Sequence, residues 1–291
     1  LWPLVSRLDP VTFKSSAFFG KRYCAGHRTS FGWDFSGASN LDELQEKLRS
    51  TILVRRLKSE VLKDLPAKRR QIVELPSNGI QASAEEQDAA ALLGVVQAAL
   101  ARAEAAGDKD AYEAAASALE TSVEVGFEGL AASRRDTAIA KIPLVAAHVL
   151  DALENVDKII LFAHHHAVVD GLSEALTAAG VGHVVLTGDT QVDKRQGLVE
   201  QFQTDPGIRV FLGNIKAAGV GLTLTAASTV IFAELSWVPA DITQAEDRAH
   251  RIGQTESVLI QHLVLENSLD AVLVRALVAK QNIADKALDI V

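Results

Sequence analysis

Lys158-Ile-Ile-Leu-Phe-Ala163 decides the fold class of this chain of 291 residues. The run is apolar after its first residue and does not alternate with polar residues, which indicates a strand buried on both faces of a sheet. Residues 166–180 then predict a helix that ends at Gly180, and Val184–Leu186 predict the next strand. A strand, a helix and a second strand in this order indicate a parallel sheet with helices packed on both faces.

The same alternation of strand and helix continues towards the end of the chain. Helices are predicted over 191–203 and from Ser268 to about Asp289, and three further strands over Ile208–Leu212, Val230–Ala233 and Val258–Leu265. In sheets of this kind, the loops after the carboxyl ends of the strands carry function. Four stretches with polar or glycine residues occupy those loops: His164–His166, Thr187–Asp189, Asn214–Gly221 and Glu234–Trp237.

Residues 1–151 have a different composition and are predicted to be mostly helical. The aromatic-rich segment over 1–40 reads as a loop-like arm that packs on the rest, and a helix is predicted from Leu41. Residues Arg70–Leu75 predict a short strand.

Alanine dominates residues 81–133, which predicts two or three helices with no chemistry of their own. A further helix is predicted from about Asp136 to Leu153, with Pro143 expected to kink its interior. We therefore divide the chain into a mostly helical part over 1–151 and an α/β part over 152–291.

The formal net charge of −8 argues against a chain that binds nucleic acid over its whole surface. A local basic run remains, since residues 55–70 contain seven Lys or Arg and two acidic residues. Four of its cations are interpreted as packing and charge-network residues: Arg55, Arg56, Lys58 and Lys63.

The cysteine count and the apolar runs indicate the cellular compartment, and the absence of methionine indicates the origin of the chain. The single Cys24 excludes an internal disulfide and fits a reducing compartment. No apolar run approaches the ~20 residues that span a bilayer, so no membrane partner is expected. The chain starts at Leu1 and contains no methionine, so we expect a domain taken from a longer protein.

Ala217-Ala-Gly-Val-Gly221 lies between a predicted strand and a short helix. Gly219 and Gly221 allow backbone N–H groups to come close to a phosphate, because neither residue has a Cβ atom. The stretch is neither a P-loop nor a dinucleotide fingerprint, since it matches neither GxxxxGK[ST] nor GxGxxG. Taken alone, paired glycines after a strand are a weak signal.

Residues 244–254, Gln-Ala-Glu-Asp-Arg-Ala-His-Arg-Ile-Gly-Gln, contain a second candidate phosphate site. In a helix, Gln244, Arg248 and Arg251 are spaced i, i+4 and i+7 and share one face. Two guanidinium groups and an amide on one face present many donors, which suit phosphate oxygens. The alternative is an ordinary solvated helix, which Glu246 and Asp247 support through ion pairs.

This last stretch resembles the final motif of superfamily-two helicases in the form used by Snf-type DNA translocases, QAxDRxHRxGQ, and matches every fixed position. Residues Lys216–Leu224 resemble the motif before it, and Leu53–Lys68 resemble the segment that leads into the second lobe. The resemblance covers nearly the whole chain. Three local stretches are most similar to the annealing-helicase (HARP-like) branch: Phe18–Cys24, Gly32–Asp34 and Phe162–His165.

The resemblance implies that residues 152–291 form a second RecA-like lobe of the P-loop NTPase superfamily, with a C-terminal helix. Residues 1–151 are then an inter-lobe arm with a helical protrusion. Arg248 and Arg251 are implied to be arginine fingers that reach a γ-phosphate held by another lobe.

The same resemblance implies that Gln244, Gly219 and Gly221 line the nucleotide side of the lobe. ATP and Mg²⁺ are expected to be held mainly by a first RecA-like lobe, because this chain has no Walker A loop and no acidic motif. We therefore expect ATP hydrolysis by the complete protein and none by this chain alone.

A track for one DNA strand is implied along the sheet edge. Charge, side-chain amide and backbone donors there suit phosphates, so binding would be independent of sequence and weakened by salt. Three consecutive histidines, 164–166, cannot all face one ion on a regular element, so no metal site is predicted. The role of Arg195 stays open between a DNA contact and a solvated helix surface. The predicted DNA contacts are His165, Thr187, Gly188, Asn214 and Lys216.

The implied function is that of an ATP-dependent translocase on double-stranded or branched DNA, which remodels or reanneals DNA as a monomer with its first lobe. Two alternatives stay open: a bacterial Snf-type translocase that acts on DNA-bound protein, and a non-catalytic adaptor that binds DNA or protein. The intact arginines favour a motor, because an adaptor has no use for a γ-phosphate contact. The expected location is the nucleus in a eukaryote, or the cytoplasm at the nucleoid in a bacterium.

Overall fold

The computed structural model describes residues 1–29, 32–35, 37–54, 62, 64–77, 84–106, 111, 134–218, 221–236, 239–266, 268–271 and 274. The chain forms two compact units, Leu1–Lys63 and Asp64–Val291. The predicted basic residues Arg55, Arg56, Lys58 and Lys63 lie outside the described residues.

The described residues of the first unit form three helices and a small hairpin. The helices are α1 (Trp2–Leu8), α2 (Ser16–Tyr23) and α3 (Leu41–Thr51), and the hairpin strands are β1 (His27–Thr29) and β2 (Gly32–Asp34). The prediction of a loop-like arm over 1–40 was therefore wrong for much of that segment. Tertiary packing explains the difference, because the helices bury a small aromatic core that a short sequence window does not reveal: Val5, Phe13, Phe19, Tyr23 and Leu44.

Local interactions set the ends of the helices in this unit. The Ser15 side chain accepts a hydrogen bond from the Phe18 backbone N–H and caps α2. Helix α3 begins at Leu41, as predicted, after Asn40 in a left-handed conformation. The Asn40 amide does not cap α3; it donates to the carbonyl of Arg22 at 2.7 Å.

The second unit is built on a six-stranded sheet in which every pair of neighbours is parallel. The strand order is β3-β8-β7-β4-β6-β5. The predicted parallel α/β fold is confirmed. The strands are β3 (Lys68–Leu75), β4 (Ile159–Ala163), β5 (His183–Leu186), β6 (Val210–Asn214), β7 (Thr229–Phe232) and β8 (Val258–Leu265).

Helices cover both faces of this sheet. The described helices of this unit include α4 (Ala84–Ala106), α5 (Ile142–Leu153), α6 (His166–Ala178), α7 (Val192–Thr204), the short α8 (Ile215–Ala218) and α9 (Pro239–Glu246). Successive residues of β4 point to opposite faces: Ile160 packs with Phe202 of α7, and Leu161 packs with Leu172 of α6. The two buried clusters explain why β4 has no polar alternation, as its sequence predicted.

The second unit starts earlier than the sequence-based boundary at 151/152. Strand β3 pairs with β8 along its full length, from Lys68 beside Val258 to Leu75 beside Leu265. Helix α5 packs Val145 and Val149 into the same core. These two elements account for a compact unit that begins at Asp64.

Pro143 does not lie where a kink was predicted. Pro143 lies in the first turn of α5 rather than in a helix interior, because a turn at Lys141 separates α5 from the helical residues 134–140. Its missing N–H therefore costs no internal hydrogen bond.

Ser268 caps the start of the final helix by accepting from the Ala271 N–H at 3.3 Å. Residues 275–291 and most of 107–133 lie outside the described residues. Among the described helices, none is long and apolar enough to cross a membrane.

Candidate functional site

The arginine motif forms a compact turn rather than the predicted regular helix. Helix α9 ends at Glu246, and the spacing of the backbone bonds then becomes irregular: Arg248 N bonds three residues back to Ala245 O at 3.1 Å, and Arg251 N bonds two residues back to Ala249 O at 3.1 Å. The prediction of one helical face through Arg251 was therefore wrong. Gln254 explains the change of direction, because its buried amide donates to the carbonyls of Ala249 and Ala227 and folds the segment back.

The turn nevertheless brings the two predicted arginines to one point beside the glycine motif. Arg248 Nη1 and Arg251 Nη1 lie 3.4 Å and 3.3 Å from the carbonyl oxygen of Leu222. The backbone adds a further link, since Leu224 N donates to Arg248 O at 2.9 Å. Gly221, directly before Leu222, has a φ of 72° that favours glycine.

These two contacts are long for hydrogen bonds. A guanidinium group has five N–H donors, and each arginine uses one of them on Leu222. Gln244 is exposed on α9, whereas Gly219 lies outside the described residues. The turn therefore gathers both guanidinium groups beside the glycine loop.

Electrostatics at the turn favour an anionic ligand. Burial lowers the pKa of Arg248, and the neighbouring charge of Arg251 lowers it further, while Asp247 opposes both effects. Two adjacent cations in a partly buried site repel each other. An anion that binds between them relieves that repulsion, which is the physical basis of an anion site here.

Glu246 ties this turn to the edge strand β3. Its side chain is fully buried; one oxygen accepts from Lys68 Nζ and Arg70 Nη2, each at 2.8 Å, and the other accepts from Arg70 Nε at 2.9 Å. Burial pushes the pKa of Glu246 upward, but the hydrogen bond from Arg70 and the charge of Lys68 outweigh it, so the pKa is lowered. Asp247 also lies 3.8 Å from Lys68. Glu246 and Asp247, the acidic residues of the motif, thus pair with cations of strand β3.

The predicted DNA-binding residues lie at the carboxyl ends of adjacent strands. The order β7-β4-β6-β5 places the loops that follow these strands side by side along one edge of the sheet. The loops contain, in that order, Glu234, His164–His166, Asn214 with Lys216, and Thr187 with Gly188.

Glu234 organises the histidine loop at this edge. Its buried carboxylate accepts from the backbone N–H groups of His164 and His165, at 2.8 and 2.9 Å, and lies 2.6 Å from His165 Nδ1. Burial pushes the pKa of Glu234 upward, but the hydrogen bonds from His165 outweigh it and the pKa is lowered. The His165 ring is thereby fixed at the start of α6 while staying partly exposed.

The three histidines have different surroundings. His164 is turned inward, and burial lowers its pKa. His166 is exposed and lies 3.6 Å from Asp189. The rings therefore face different groups, as the argument from a regular element predicted for consecutive residues. Among the described residues, no group of three or more His, Cys, Asp or Glu side chains is arranged to hold a metal ion.

Asn214 holds neighbouring loops together and has little surface of its own. Its Nδ2 donates to the His164 carbonyl at 2.5 Å, and its Oδ1 accepts from Lys216 N at 3.1 Å. Lys216 is exposed at the same edge. Arg195 holds the adjacent loop by donating to the carbonyls of Thr190 at 3.0 Å and Gly188 at 3.3 Å.

The sequence alone did not reveal the partners of these motifs. Glu234 is far from His165 along the chain, and the two meet only because β7 lies beside β4. Glu246 meets β3 because β3 is the neighbour of β8. The only local signal for a buried Glu246 was its position next to the small apolar residue Ala245 in a charged motif.

The parallel sheet, with an arginine turn closed against its glycine loop, defines the C-terminal lobe of a helicase. Residues 141–253 match the family described as helicase conserved C-terminal domain. The fold is also that of a solved structure, the C-terminal part of the Fun30 ATPase domain, with a TM-score of 0.50 and 20% identity. That match covers 72% of this chain and 89% of the Fun30 chain.

Curated relatives narrow this class. The SWI/SNF-related matrix-associated actin-dependent regulator of chromatin subfamily A-like protein 1 of Xenopus laevis is 39% identical over 93% of this chain and 26% of its own length. The DNA annealing helicase and endonuclease ZRANB3 of Mus musculus is 38% identical over 99% of this chain and 26% of its own length. The chain spans about a quarter of the length of these relatives, is homologous to both, and carries a helicase conserved C-terminal domain.

Proposed function

We propose that this chain is the C-terminal lobe of an ATP-dependent double-stranded DNA translocase that remodels or reanneals DNA. The observation that carries the proposal is the convergence of Arg248 and Arg251 on the Leu222 carbonyl, directly after Gly221. A pair of guanidinium groups at a glycine loop is a site for phosphate oxygens.

Arg248 and Arg251 act as arginine fingers in this proposal. Bound ATP with Mg²⁺ supplies a phosphoryl group for transfer to water, and it is held mainly by a first RecA-like lobe of the same protein. The two guanidinium groups neutralise the charge that develops on the equatorial oxygens during transfer. Gln244, exposed on α9, orients the nucleotide, and Gly219 and Gly221 keep the loop close to it.

The strand-end edge serves as the DNA track. Lys216 contributes charge, His165 contributes a ring fixed by Glu234, and Thr187 and Gly188 contribute backbone groups to one phosphate strand. Asn214 positions this edge, because its amide already bonds the histidine loop at His164 and the start of α8 at Lys216.

One short segment joins the two parts of the proposed site. The chain runs from Lys216 at the DNA edge through α8 and the glycine motif to Leu222, where the arginines bond. A shift of this segment on nucleotide binding therefore moves both sites together. Such a link is what a motor needs to couple ATP turnover to movement along a duplex.

The test combines this chain, in cis or in trans, with a first RecA-like lobe that carries a Walker A loop and an acidic motif. DNA-stimulated ATP hydrolysis by the combination, and none by either part alone, is the expected result. DNA binding without hydrolysis in the combination contradicts the motor and favours a DNA- or protein-binding adaptor.

The proposal also sets the expected partners and location. The protein acts as a monomer on double-stranded or branched DNA, in the nucleus of a eukaryote or at the nucleoid of a bacterium. Sedimentation of the combined lobes with and without a forked duplex tests the monomer.

A further inference from the structure

The two compact units carry opposite charge. Residues 1–63 contain eleven Lys or Arg and six Asp or Glu, whereas residues 64–291 contain eighteen and thirty-one. The formal charges are therefore +5 and −13. The overall acidic charge of the chain conceals a small basic unit, and a basic unit attracts polyanions.

An exposed aromatic group lies on the hairpin of this basic unit. Trp33 of β2 is paired directly opposite Arg28 of β1, so the two side chains stand on the same face. Trp33 is 48% exposed. The Lys21 ammonium lies 4.2 Å from the centroid of the Trp33 ring. A tryptophan is thus flanked by two cations in an exposed two-stranded ribbon.

The ring of Phe35, which is itself fixed by packing, holds the Trp33 ring in place. Phe35 stacks nearly parallel to it, with ring centroids 5.9 Å apart and 9° between the planes. The Phe35 ring in turn fills a notch at Gly20 and Gly26, where an added Cβ would come within 2.5 and 2.7 Å of it. Both glycines therefore make room for the ring, and the stack is formed before any ligand arrives.

Among the described residues of this unit, no acidic side chain forms an ion pair with Lys21 or Arg28. The ion pairs of this unit centre on Glu43, which binds Arg22 and also binds Lys47 at 2.8 Å. Lys21 and Arg28 belong to neither pair. Their charge is available to a ligand, unlike that of Arg22.

We propose that Trp33, Lys21 and Arg28 form a binding site for single-stranded DNA. An unpaired base takes the place of the Lys21 ammonium over the Trp33 ring, and Lys21 and Arg28 contact the phosphates on either side. A base inside a duplex cannot reach the ring, because both of its faces are already stacked. This inference deepens the proposed function by adding a site for the unpaired strand of a branched substrate, separate from the duplex track at the sheet edge.

Tryptophan fluorescence offers a direct readout in the full 291-residue chain, which has three tryptophans. A Trp2→Phe and Trp237→Phe background leaves Trp33 as the reporter. Trp2 tolerates this change because its buried Nε1 has no hydrogen-bond partner among the described residues. Titration with an oligothymidylate of about 16 nucleotides is expected to quench the Trp33 emission as bases stack on the ring.

Affinity measurements then separate stacking from charge. Trp33→Ala should weaken binding of the same oligonucleotide about 5- to 100-fold, while Trp33→Phe should recover most of the loss. Phe18→Ala removes another exposed aromatic of the unit and should change nothing. Lys21→Gln should lower the salt dependence of binding by about 0.7 in log–log slope, and Lys14→Gln, with the same change in net charge, should not.

Lys216→Ala distinguishes this site from the proposed duplex track. That variant should weaken duplex binding and leave the Trp33 quenching by oligothymidylate unchanged. Undiminished single-strand binding in Trp33→Ala, or an absence of quenching at saturation, would overturn the inference and leave the duplex track unaffected. Duplex binding that Lys216→Ala leaves unchanged, together with intact Trp33 quenching, would instead contradict the proposed duplex track alone.

Discussion

Arg248 and Arg251 share one acceptor, since the Nη1 atoms of both side chains lie 3.3 to 3.4 Å from the carbonyl oxygen of Leu222. The regular helix predicted for the motif would separate the two guanidinium groups along its axis. The turn instead gathers them at one oxygen beside Gly221. A single peptide carbonyl is a weak competitor for a charged phosphate, so these contacts hold the arginines in place without blocking them.

Substitution of Arg251 tests the proposed role in catalysis. In the lobe combination described above, Arg251→Ala should lower the rate of DNA-stimulated ATP hydrolysis by about 10³- to 10⁵-fold, because transition-state charge is left without its donor. Arg251→Lys should recover only part of the rate, since an ammonium group lacks the planar fork. The assay measures kcat, with duplex affinity measured in parallel.

A matched control for this substitution is Arg102→Ala. Arg102 is exposed on α4, and its Nε donates to the carbonyl of Ala98 in the preceding turn. Its removal should change neither kcat nor affinity. If Arg251→Ala lowered ATP hydrolysis, DNA binding and the melting temperature together, Arg251 would have a role in folding. That result would contradict its proposed role as an arginine finger.

Glu246 should be a strong determinant of stability. Glu246→Gln removes the buried carboxylate that Lys68 and Arg70 share, and loss of one partner of a buried ion pair costs about 3 to 5 kcal/mol. The expected result is a fall of this size in the free energy of unfolding measured with urea. Glu200→Gln, an exposed change on α7, should cost less than about 0.5 kcal/mol.

A compensating triple variant checks the cause of that loss. Glu246→Leu with Lys68→Met and Arg70→Met replaces the whole network by apolar groups of similar volume. Such replacements are often neutral or stabilising, so the triple variant should be more stable than Glu246→Gln. A triple variant that is less stable still would show that packing, rather than an unpaired buried charge, explains the single variant.

The sheet was predictable because its strands carry their own signal. The strands β4 and β6 are buried on both faces, so unbroken apolar runs marked them in the sequence. The edge strand β3 was predicted only from Arg70 onward. Its first two residues, Lys68 and Arg69, are charged, so they gave no apolar signal although they pair with β8. The alternation of strands and helices was enough to place the candidate DNA residues in loops at the carboxyl ends of the strands.

The details of the arginine turn were not predictable from a local window. Helical spacing favoured a face shared by Gln244, Arg248 and Arg251, but Glu246 and Gln254 bond to residues on other elements. Those long-range bonds end α9 and redirect the chain. Similarly, nothing near Glu234 in the sequence indicates that it binds the His165 ring, because the contact depends on the order of β7 and β4.

Lys216 should contribute to duplex affinity through charge alone. Lys216→Ala should weaken binding to duplexes of different sequence by the same factor, because a phosphate contact does not read bases. The slope of log affinity against log salt should fall by about 0.9. Fluorescence anisotropy over a range of salt concentrations measures both quantities.

The control for Lys216 is Arg135→Ala, which removes one exposed cation that pairs locally with Asp136. It changes the net charge equally and lies on the helical residues 134–140, outside the strand-end loops. An equal loss of affinity in both variants would attribute the effect to overall charge and contradict a specific contact at Lys216.

His262 should make the stability of the lobe sensitive to acid. Its ring is fully buried against Phe232, with centroids 5.0 Å apart, and neither ring nitrogen has a hydrogen-bond partner among the described residues. Burial lowers the pKa of His262 to about 4, an effect that the nearby charge of Glu246 opposes and that of Arg70 reinforces. The folded lobe therefore holds His262 neutral at a pH where the unfolded chain protonates it.

The direction of the pH effect follows from that depressed pKa. Above about pH 6.5 the ring is neutral in both states and costs nothing. As the pH falls from about 6.5 to 4, the unfolded state gains a proton that the folded state does not, and about 3 kcal/mol of stability is lost. His262→Phe removes the titrating group and keeps an aromatic ring against Phe232, so urea unfolding at pH 7 and pH 5 should show a smaller loss on acidification than in the unmodified chain. An identical pH dependence in the two proteins would mean that other groups, such as the paired Glu234 and Glu246, set the acid response.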